Sequence, residues 1–593
     1  MKQLLAVLSL LVVTSSAPAA ETNCFAPFLT DTPPKIVEEL SKEVKDGVEV
    51  TRMKFLNRVV PESGREVLIY AILARPVTPG KHPGMLVCHD GGGYADMVAS
   101  QAVGWAKRGY VAICQDQPGI CNRAKASSSG PCVEKGASGF RILTKPSDSA
   151  LFDGVAAALN SLALLRSQPD VDTSHIGVWG GSWGGYMTTM VCGLAGNRVH
   201  AAFSVYGCGF YDVSSTWRYA VERLSPARQK IWVENLDAGR RAHGITAAYF
   251  HTAAANDWFF WPGAVMRTLA EIPGEKNYVF SPNDSHCIRQ PGGTHGPPRI
   301  NHRFNRTHME ILWLDYYLKR EGKPFPKAKA VGAPKREGNA VRVEFQVNAP
   351  EPITKATLWR AAGELPWRMK WWESTPAKEI GNGRYSGLLP IEEPGQPVHW
   401  IGIVTDKRNV SVSTLVQTLE PKPLGFVADG HPLATFREDF EDVSGHRRWR
   451  KKYADRRPGR YRIRTEAAHA GKYGVEIEPG GFSLACWGLR AAALERAKVT
   501  RIRFWVRAVD KPCPLPIVGV QAEIADGRRY RWQWKNAPKE PIGTQWQAVE
   551  VPLADLEPVG KPPLPMLSPK LGQLRFATTK QTHVYIDDVE ALR

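Results

Sequence analysis

The sequence predicts a doubly wound, mostly parallel α/β sheet followed by two all-β units, and three features of the 593 residues predict it. Between about Val48 and Gly322, short apolar runs alternate with segments whose apolar residues recur at three- and four-residue spacing, which is the pattern of a βα repeat. The apolar runs are nearly continuous, as strands covered on both faces require. From Lys323 onward the helical spacing disappears and short alternating runs take over.

In chain order, residues 1–20 (MKQLLAVLSLLVVTSSAPAA) combine a lysine, an apolar core and a small-residue end, the pattern of a cleaved secretory signal. A secreted or periplasmic protein is therefore expected, and with no later apolar run of membrane-spanning length, no membrane span. The α/β unit is expected over 21–325. Its strands are VLIYAILARP (from Val67), GMLVCHD (Gly84), YVAICQD (Tyr110), HIGVWG (His175), AAFSVYG (Ala201), TAAYFHTAAAND (Thr246) and NYVFSPN (Asn277). Its helices include SALFDGVAAALNSLALLRS, GYMTTMVCGLAG and NRTHMEILWLDYYLKREG. Residues 326–425, with AVRVEFQVNA, ITKATLWRA and HWIGIVTD, read as a small β-sandwich. Residues 426–593, with YGVEIEP, RIRFWVRAV, YRWQWKN and HVYIDDVEAL, read as a jelly roll.

Lys and Arg exceed Asp and Glu by 77 to 58, a formal charge of +19, with a dense run at HRRWRKKYADRRPGRYRIR. In an exported protein this favours a polyanion such as an acidic polysaccharide over nucleic acid, and a solvated basic face is the plainer reading. Of the ten cysteines, Cys121 and Cys132 flank a Ser/Gly-rich loop where a local disulfide is one expectation. Neither the remaining pairings nor the oligomeric state can be read from sequence.

Gly180-Gly181-Ser182-Trp183-Gly184 fits the G-x-S-x-G turn in which a serine stands between a strand and a helix. HIGVWG before it and the helical pattern after it supply that context. A serine hydroxyl needs a base, and the base an acid to orient it; in this fold they follow in the order serine, acid, histidine. Asp257 at the end of TAAYFHTAAAND and His286 in NYVFSPNDSHCI arrive in that order. His295, in GGTHGPP, competes for the role of base. Asp284 is a turn residue on this reading, and His302 and His308 are structural or rim residues. The oxyanion needs two backbone donors: Trp183 N–H is one, and the His89-Asp90-Gly91-Gly92-Gly93-Tyr94 loop supplies the other from Gly92, Gly93 or Tyr94.

CHDGGGYADMVASQAVGWAKRGYVAICQDQPG, the SWGGY turn, the YGCGF strand end and AANDWFFWP together resemble the secreted acetyl xylan esterase and dienelactone-hydrolase-like branch of the α/β-hydrolases, over about Leu68 to Lys319. The resemblance implies Ser182, Asp257 and His286 as a catalytic triad. Dienelactone hydrolases proper use a cysteine at the position of Ser182, so lactone chemistry is not implied. SWGGYMTTM is also similar to the prolyl oligopeptidase elbow, but no β-propeller precedes the sheet. The sandwich resembles immunoglobulin or fibronectin type III-like modules, with Trp359, Trp367, Trp371 and Trp372 either a sugar platform or core. The last unit resembles galactose-binding-like jelly rolls. That likeness implies Asp439, Glu441 and Asp587 as ligands of a structural calcium, and Trp532, Trp534 and Tyr530 as sugar-face candidates.

The expected activity is removal of acyl groups, acetyl first among them, from a polysaccharide by a serine route that calls for no cofactor. A secreted serine peptidase and a non-catalytic polysaccharide-binding protein are the alternatives.

Overall fold

Nine strands form the first sheet in a computed structural model that describes residues 23–284, 286, 306–363, 367–427, 437–441, 449–451, 461–481, 483–486, 498–523, 529–560 and 571–593. The expected signal segment 1–20 and His295 lie outside these residues, as does most of the basic run after His446. In chain order the strands are β1 Ile36–Lys45, β2 Val48–Val59, β3 Glu66–Pro76, β4 His82–Cys88, β5 Val111–Gln115, β6 Val171–Gly181, β7 Ala201–Val205, β8 Ala248–Ala254 and β9 Lys276–Ser281. Their order in the sheet is β1-β2-β3-β5-β4-β6-β7-β8-β9. Pairing is antiparallel from β1 to β5 and parallel from β5 to β9. This is the α/β-hydrolase fold.

The helices are α1 Ala95–Lys107, α2 Ala150–Arg166, α3 Trp183–Ala195, α4 Arg218–Glu222, α5 Pro226–Leu236, α6 Pro262–Glu271 and α7 Arg306–Lys319. Every residue of β5, β7 and β8 is buried, so the near-continuous apolar runs do mark strands covered on both faces. All of α2 except Arg166 is buried, and Ser149 Oγ caps it by accepting from Leu151 N at 3.1 Å.

The β1–β2 hairpin begins before the stretch recognised in the sequence. Asp46 and Gly47 make its turn, with φ of 48° and 75°, the left-handed pair of a two-residue hairpin. All of β1 is exposed, and an edge strand that buries nothing shows no apolar alternation.

Past α7 come β10 Lys327–Glu337, β11 Ala340–Asn348, β12 Ile353–Ala362, β13 Glu373–Pro376, β14 Lys378–Gly381, β15 Arg384–Pro390, β16 Val398–Asp406, β17 Ser411–Ser413 and β18 Gln417–Leu419. They form two antiparallel sheets, β10-β11-β15-β14 and β13-β12-β16-β17, with β18 paired to β16. The sandwich is not strung loosely behind the first unit. One continuous apolar core runs from Phe25 through both units to Phe426, with Phe325 packed on Phe250 and Trp313 at the junction. Arg408, held by Asp406, donates to the carbonyls of Lys323 and Pro324 at 2.7 and 2.9 Å, and Phe280 N donates to Ser413 Oγ at 3.0 Å.

Among the described residues, the remaining strands make two six-stranded antiparallel sheets that enclose a second, separate core containing Phe440, Phe504, Trp532 and Phe576. The alternation that puts Trp532 and Trp534 on the same side holds. That side is the inner one: Trp532 is 4% exposed and turned into the core, while Tyr530 and Trp534 are half-buried against the same core. Trp359 and Trp372 of the sandwich are likewise buried. Asp587 Oδ2 accepts from the amides of His469 and Ala470, Glu441 Oε1 from those of Lys472 and Tyr473, and Asp439 Oδ1 from Glu441 N. Among the described residues no group of three or more His, Cys, Asp or Glu side chains is placed to hold a metal ion. Cys121 and Cys132 are both free thiols; burial raises both, Cys121 to about 12, so neither is a ready thiolate. No helix among the described residues is long and apolar enough to cross a membrane.

Because the first two units share one core, scanning calorimetry of the whole chain is expected to show them melting in a single transition separate from that of the C-terminal unit. Three resolved transitions would contradict that coupling.

Candidate active site

The loops at the carboxyl ends of β4, β6, β8 and β9 converge on one cavity of about 770 Å³. Ser182 lines it, at the turn from β6 into α3, with φ 57° and ψ −120°. A side chain at positive φ is strained by roughly 1–3 kcal/mol, and the surroundings must hold it there. Ser182 N donates to Val205 O at 2.8 Å and Tyr186 N to Ser182 O at 3.0 Å, which fixes the turn at both ends. The flanking glycines are required by close approach. A Cβ on Gly180 would lie 2.3 Å from Gly184 O, and one on Gly184 would lie 2.3 Å from Cys88 O.

Asp257 follows β8 and His286 follows β9. His286 Nδ1 is 2.9 and 3.1 Å from the two carboxylate oxygens of Asp257, and its Nε2 is 2.8 Å from Ser182 Oγ. With Nδ1–H donating to the carboxylate, Nε2 is left to accept the serine proton. Asp257 is fully buried, and its Oδ1 also accepts from Phe259 N at 2.7 Å and Phe260 N at 3.1 Å. The rings of Tyr206, Phe259 and Phe260 surround the imidazole at 4.9, 4.8 and 5.6 Å between centroids. Asp284 accepts the hydroxyl of Ser281, and its carbonyl accepts from Asn256 N. His308 Nε2 lies 3.0 Å from Arg408 O.

The loop after β4 differs from expectation in one respect. Gly92 N donates to Ile120 O at 2.7 Å and Gly93 N to Asp90 O at 3.0 Å, so neither amide is available to a substrate. The turn toward Ile120 and the one-turn closure onto Asp90 consume them. Gly91 also lines the cavity, and its amide is not spent on either of these turns. Asp90 O accepts from His89 Nδ1 at 2.8 Å and from Gly93 N, and in a trans peptide the Gly91 N–H points opposite to that carbonyl. His89 is fixed in turn, because its Nε2 accepts from Gln117 N at 3.0 Å, which leaves the proton on Nδ1. Burial pushes the His89 ring down to about 4, so it stays neutral and keeps this arrangement. The sequence motif contained both residues; what it lacked was which amides the loop's own turns would use.

Phe140, Trp217 and Phe259 also line the cavity, with Phe140 and Phe259 each stacked on Trp217 at 6.2 and 5.7 Å. Asp90 and Arg306 also line the cavity; burial holds the Asp90 carboxyl above its ordinary range.

Residues 69–232 match the family model of the dienelactone hydrolases. Among solved structures, the chain is similar to acetyl xylan esterase 1 from Thermoanaerobacterium sp., at 18% identity over 49% of this chain and 90% of that one, with a TM-score of 0.38. It is similar also to the acetyl xylan esterase from Paenibacillus sp. R4, at 16% identity over 44% of this chain and 86% of that one, with a TM-score of 0.36. A puromycin-hydrolyzing peptidase of Mycobacterium tuberculosis matches at 15% identity over 46% of this chain and 40% of its own, with a TM-score of 0.34.

The depressed His89 value has a consequence for stability. The imidazole titrates near 6.5 when unfolded and near 4 when folded, so its contribution is complete above 6.5 and is lost as pH falls toward 4, by roughly 3 kcal/mol. Urea denaturation at pH 7 and pH 4.5 is expected to show a smaller acid-induced loss for His89→Asn than for the parent chain. An equal loss would mean that His89 does not titrate in this window.

Proposed function

We propose that the chain is a serine esterase that removes acyl groups from a polysaccharide. The observation that carries this reading is the unbroken hydrogen-bonded line from Ser182 Oγ through His286 to Asp257, opening onto a cavity beside the Gly91 amide. Ser182 Oγ attacks the ester carbonyl carbon while His286 Nε2 takes its proton, and the buried Asp257 carboxylate stabilises the imidazolium that results. The carbonyl oxygen, now an oxyanion, receives hydrogen bonds from the amides of Trp183 and Gly91. Collapse expels the sugar hydroxyl, which takes the proton from His286 and leaves the acyl group on Ser182. Water, deprotonated by His286, attacks that ester, and Ser182 recovers its proton as the acid departs.

Two features support a sugar-bearing substrate. The rings of Phe140, Trp217 and Phe259 offer aromatic surface of the kind that pairs with the apolar faces of sugar rings. The cavity is also much larger than a two-carbon acyl group requires, leaving room for the alcohol portion of the ester.

Acetate release from acetylated xylan and hydrolysis of p-nitrophenyl acetate are expected, with aminoacyl-anilides turned over far more slowly. Ser182→Ala and His286→Ala are each expected to lower kcat by at least about 10³-fold, while His295→Ala retains activity. Ester hydrolysis that survives Ser182→Ala, or that His295→Ala abolishes while His286→Ala does not, would contradict the assignment. Gly91→Pro, which removes the amide hydrogen and sets a Cβ against the Trp183 ring, is expected to lower kcat on p-nitrophenyl acetate by at least about 10²-fold. Unchanged kcat in a folded Gly91→Pro protein would rule that donor out.

A further inference from the structure

The acid and the base sit on two loops far apart in sequence, and each loop is tied to the same short segment of the sandwich. Asn256 directly precedes Asp257, and Asn283 lies three residues before His286. Asn256 Nδ2 donates to Trp367 O at 2.8 Å and to Lys370 O at 2.6 Å. Asn283 Nδ2 donates to Trp372 O at 2.7 Å, and Trp372 N donates back to Asn283 Oδ1 at 2.8 Å. The partners all belong to residues 367–372, in the connection from β12 to β13. Asn256, Asn283 and Trp372 are 1, 3 and 1% exposed, so water does not compete for these bonds. Neither asparagine lines the cavity.

The two loops also hold each other, through Asn256 N to Asp284 O at 3.0 Å and Ala255 N to Ser281 O at 2.9 Å. Asn283 adopts φ 61°, so its loop turns sharply just before the histidine. Trp258, the residue after Asp257, lies under the guanidinium of Arg368 at 5.2 Å. A primary amide suits these positions: Asn256 presents two hydrogens to two carbonyls, and Asn283 presents one donor and one acceptor to a single residue's backbone. Aspartate at 256 would set a carboxylate against two carbonyl oxygens.

We propose that residues 367–372 of the sandwich set the spacing between Asp257 and His286, with Asn256 and Asn283 as positioning residues. The sandwich is thereby part of the apparatus for turnover. This rests on reading Ser182, His286 and Asp257 as the catalytic triad. An acid–base pair carried on two separate loops depends on the relative position of both, and a shift of about 1 Å in such geometry costs on the order of 10²-fold in rate.

The test is steady-state kinetics of full-length Asn256→Asp and Asn283→Ala on p-nitrophenyl acetate, below the melting temperature of each variant, with Leu389→Ala as a control. Leu389 is fully buried in the sandwich and touches neither loop segment's hydrogen bonds, so its truncation weakens the same unit. The expected result is a kcat at least tenfold lower in both asparagine variants, KM within about twofold, and a Leu389→Ala kcat near that of the parent. Parent-like kcat in the folded asparagine variants overturns the proposal, and so does an equal loss of kcat in Leu389→Ala. Should Ser182→Ala retain activity, the triad reading fails and this proposal with it; should Ser182→Ala be inactive while the asparagine variants keep full kcat, only the positioning role fails.

Discussion

Backbone contact between the first turn of α3 and the end of β4 is the constraint on which the site depends. Gly184 lies so close to the carbonyls of Cys88 and His89 that any side chain there would overlap main-chain atoms. That approach brings the turn bearing Ser182 against the loop bearing Gly91, and Ser182, Trp183 and Gly91 all line the same cavity. Side-chain packing alone would let two such loops shift as the side chains between them change rotamer. Contact between main chains leaves almost no such freedom, which is why glycines surround the serine and why its left-handed backbone is tolerated.

Around this contact the buried polar groups are organised in pairs. Asp116 accepts from Ala95 N, Ser127 N and Ser128 N, anchoring the start of α1 and a neighbouring loop behind the Gly91 turn. His89 and Gln117 perform the same service for the turn itself. On the other side of the cavity, Asp257 divides its lone pairs between His286 and two amides of its own loop, so the acid is held from both directions. A buried carboxylate that accepts from several donors is held in place.

Much of this was legible in the sequence. The α/β repeat shows as apolar runs because strands buried on both faces leave no alternation to blur, and the order Ser182, Asp257, His286 follows from the topology that places loops at the carboxyl edge of the sheet. What the sequence hides depends on contacts between distant segments. The β1 strand is exposed along its whole length, and its apolar residues Ile36, Val37, Leu40 and Val44 do not alternate. Which amide of the Gly91–Gly93 turn remains free depends on Ile120, outside the motif. The aromatic pattern of Tyr530, Trp532 and Trp534 identifies a shared face but not whether that face is inner or outer. Asn256 and Asn283 look like ordinary loop residues until the sandwich is folded against them.

The central claim is that Ser182 is the nucleophile of an acyl-transfer reaction. The most direct measurement is treatment of the full-length chain with a fluorophosphonate, followed by proteolysis and mass spectrometry, because such reagents mark a serine activated by a neighbouring base. The account predicts a single stoichiometric adduct on the peptide containing Ser182 and none on the Ser182→Ala chain. An unmodified Ser182, or an adduct carried by a different residue, would contradict it.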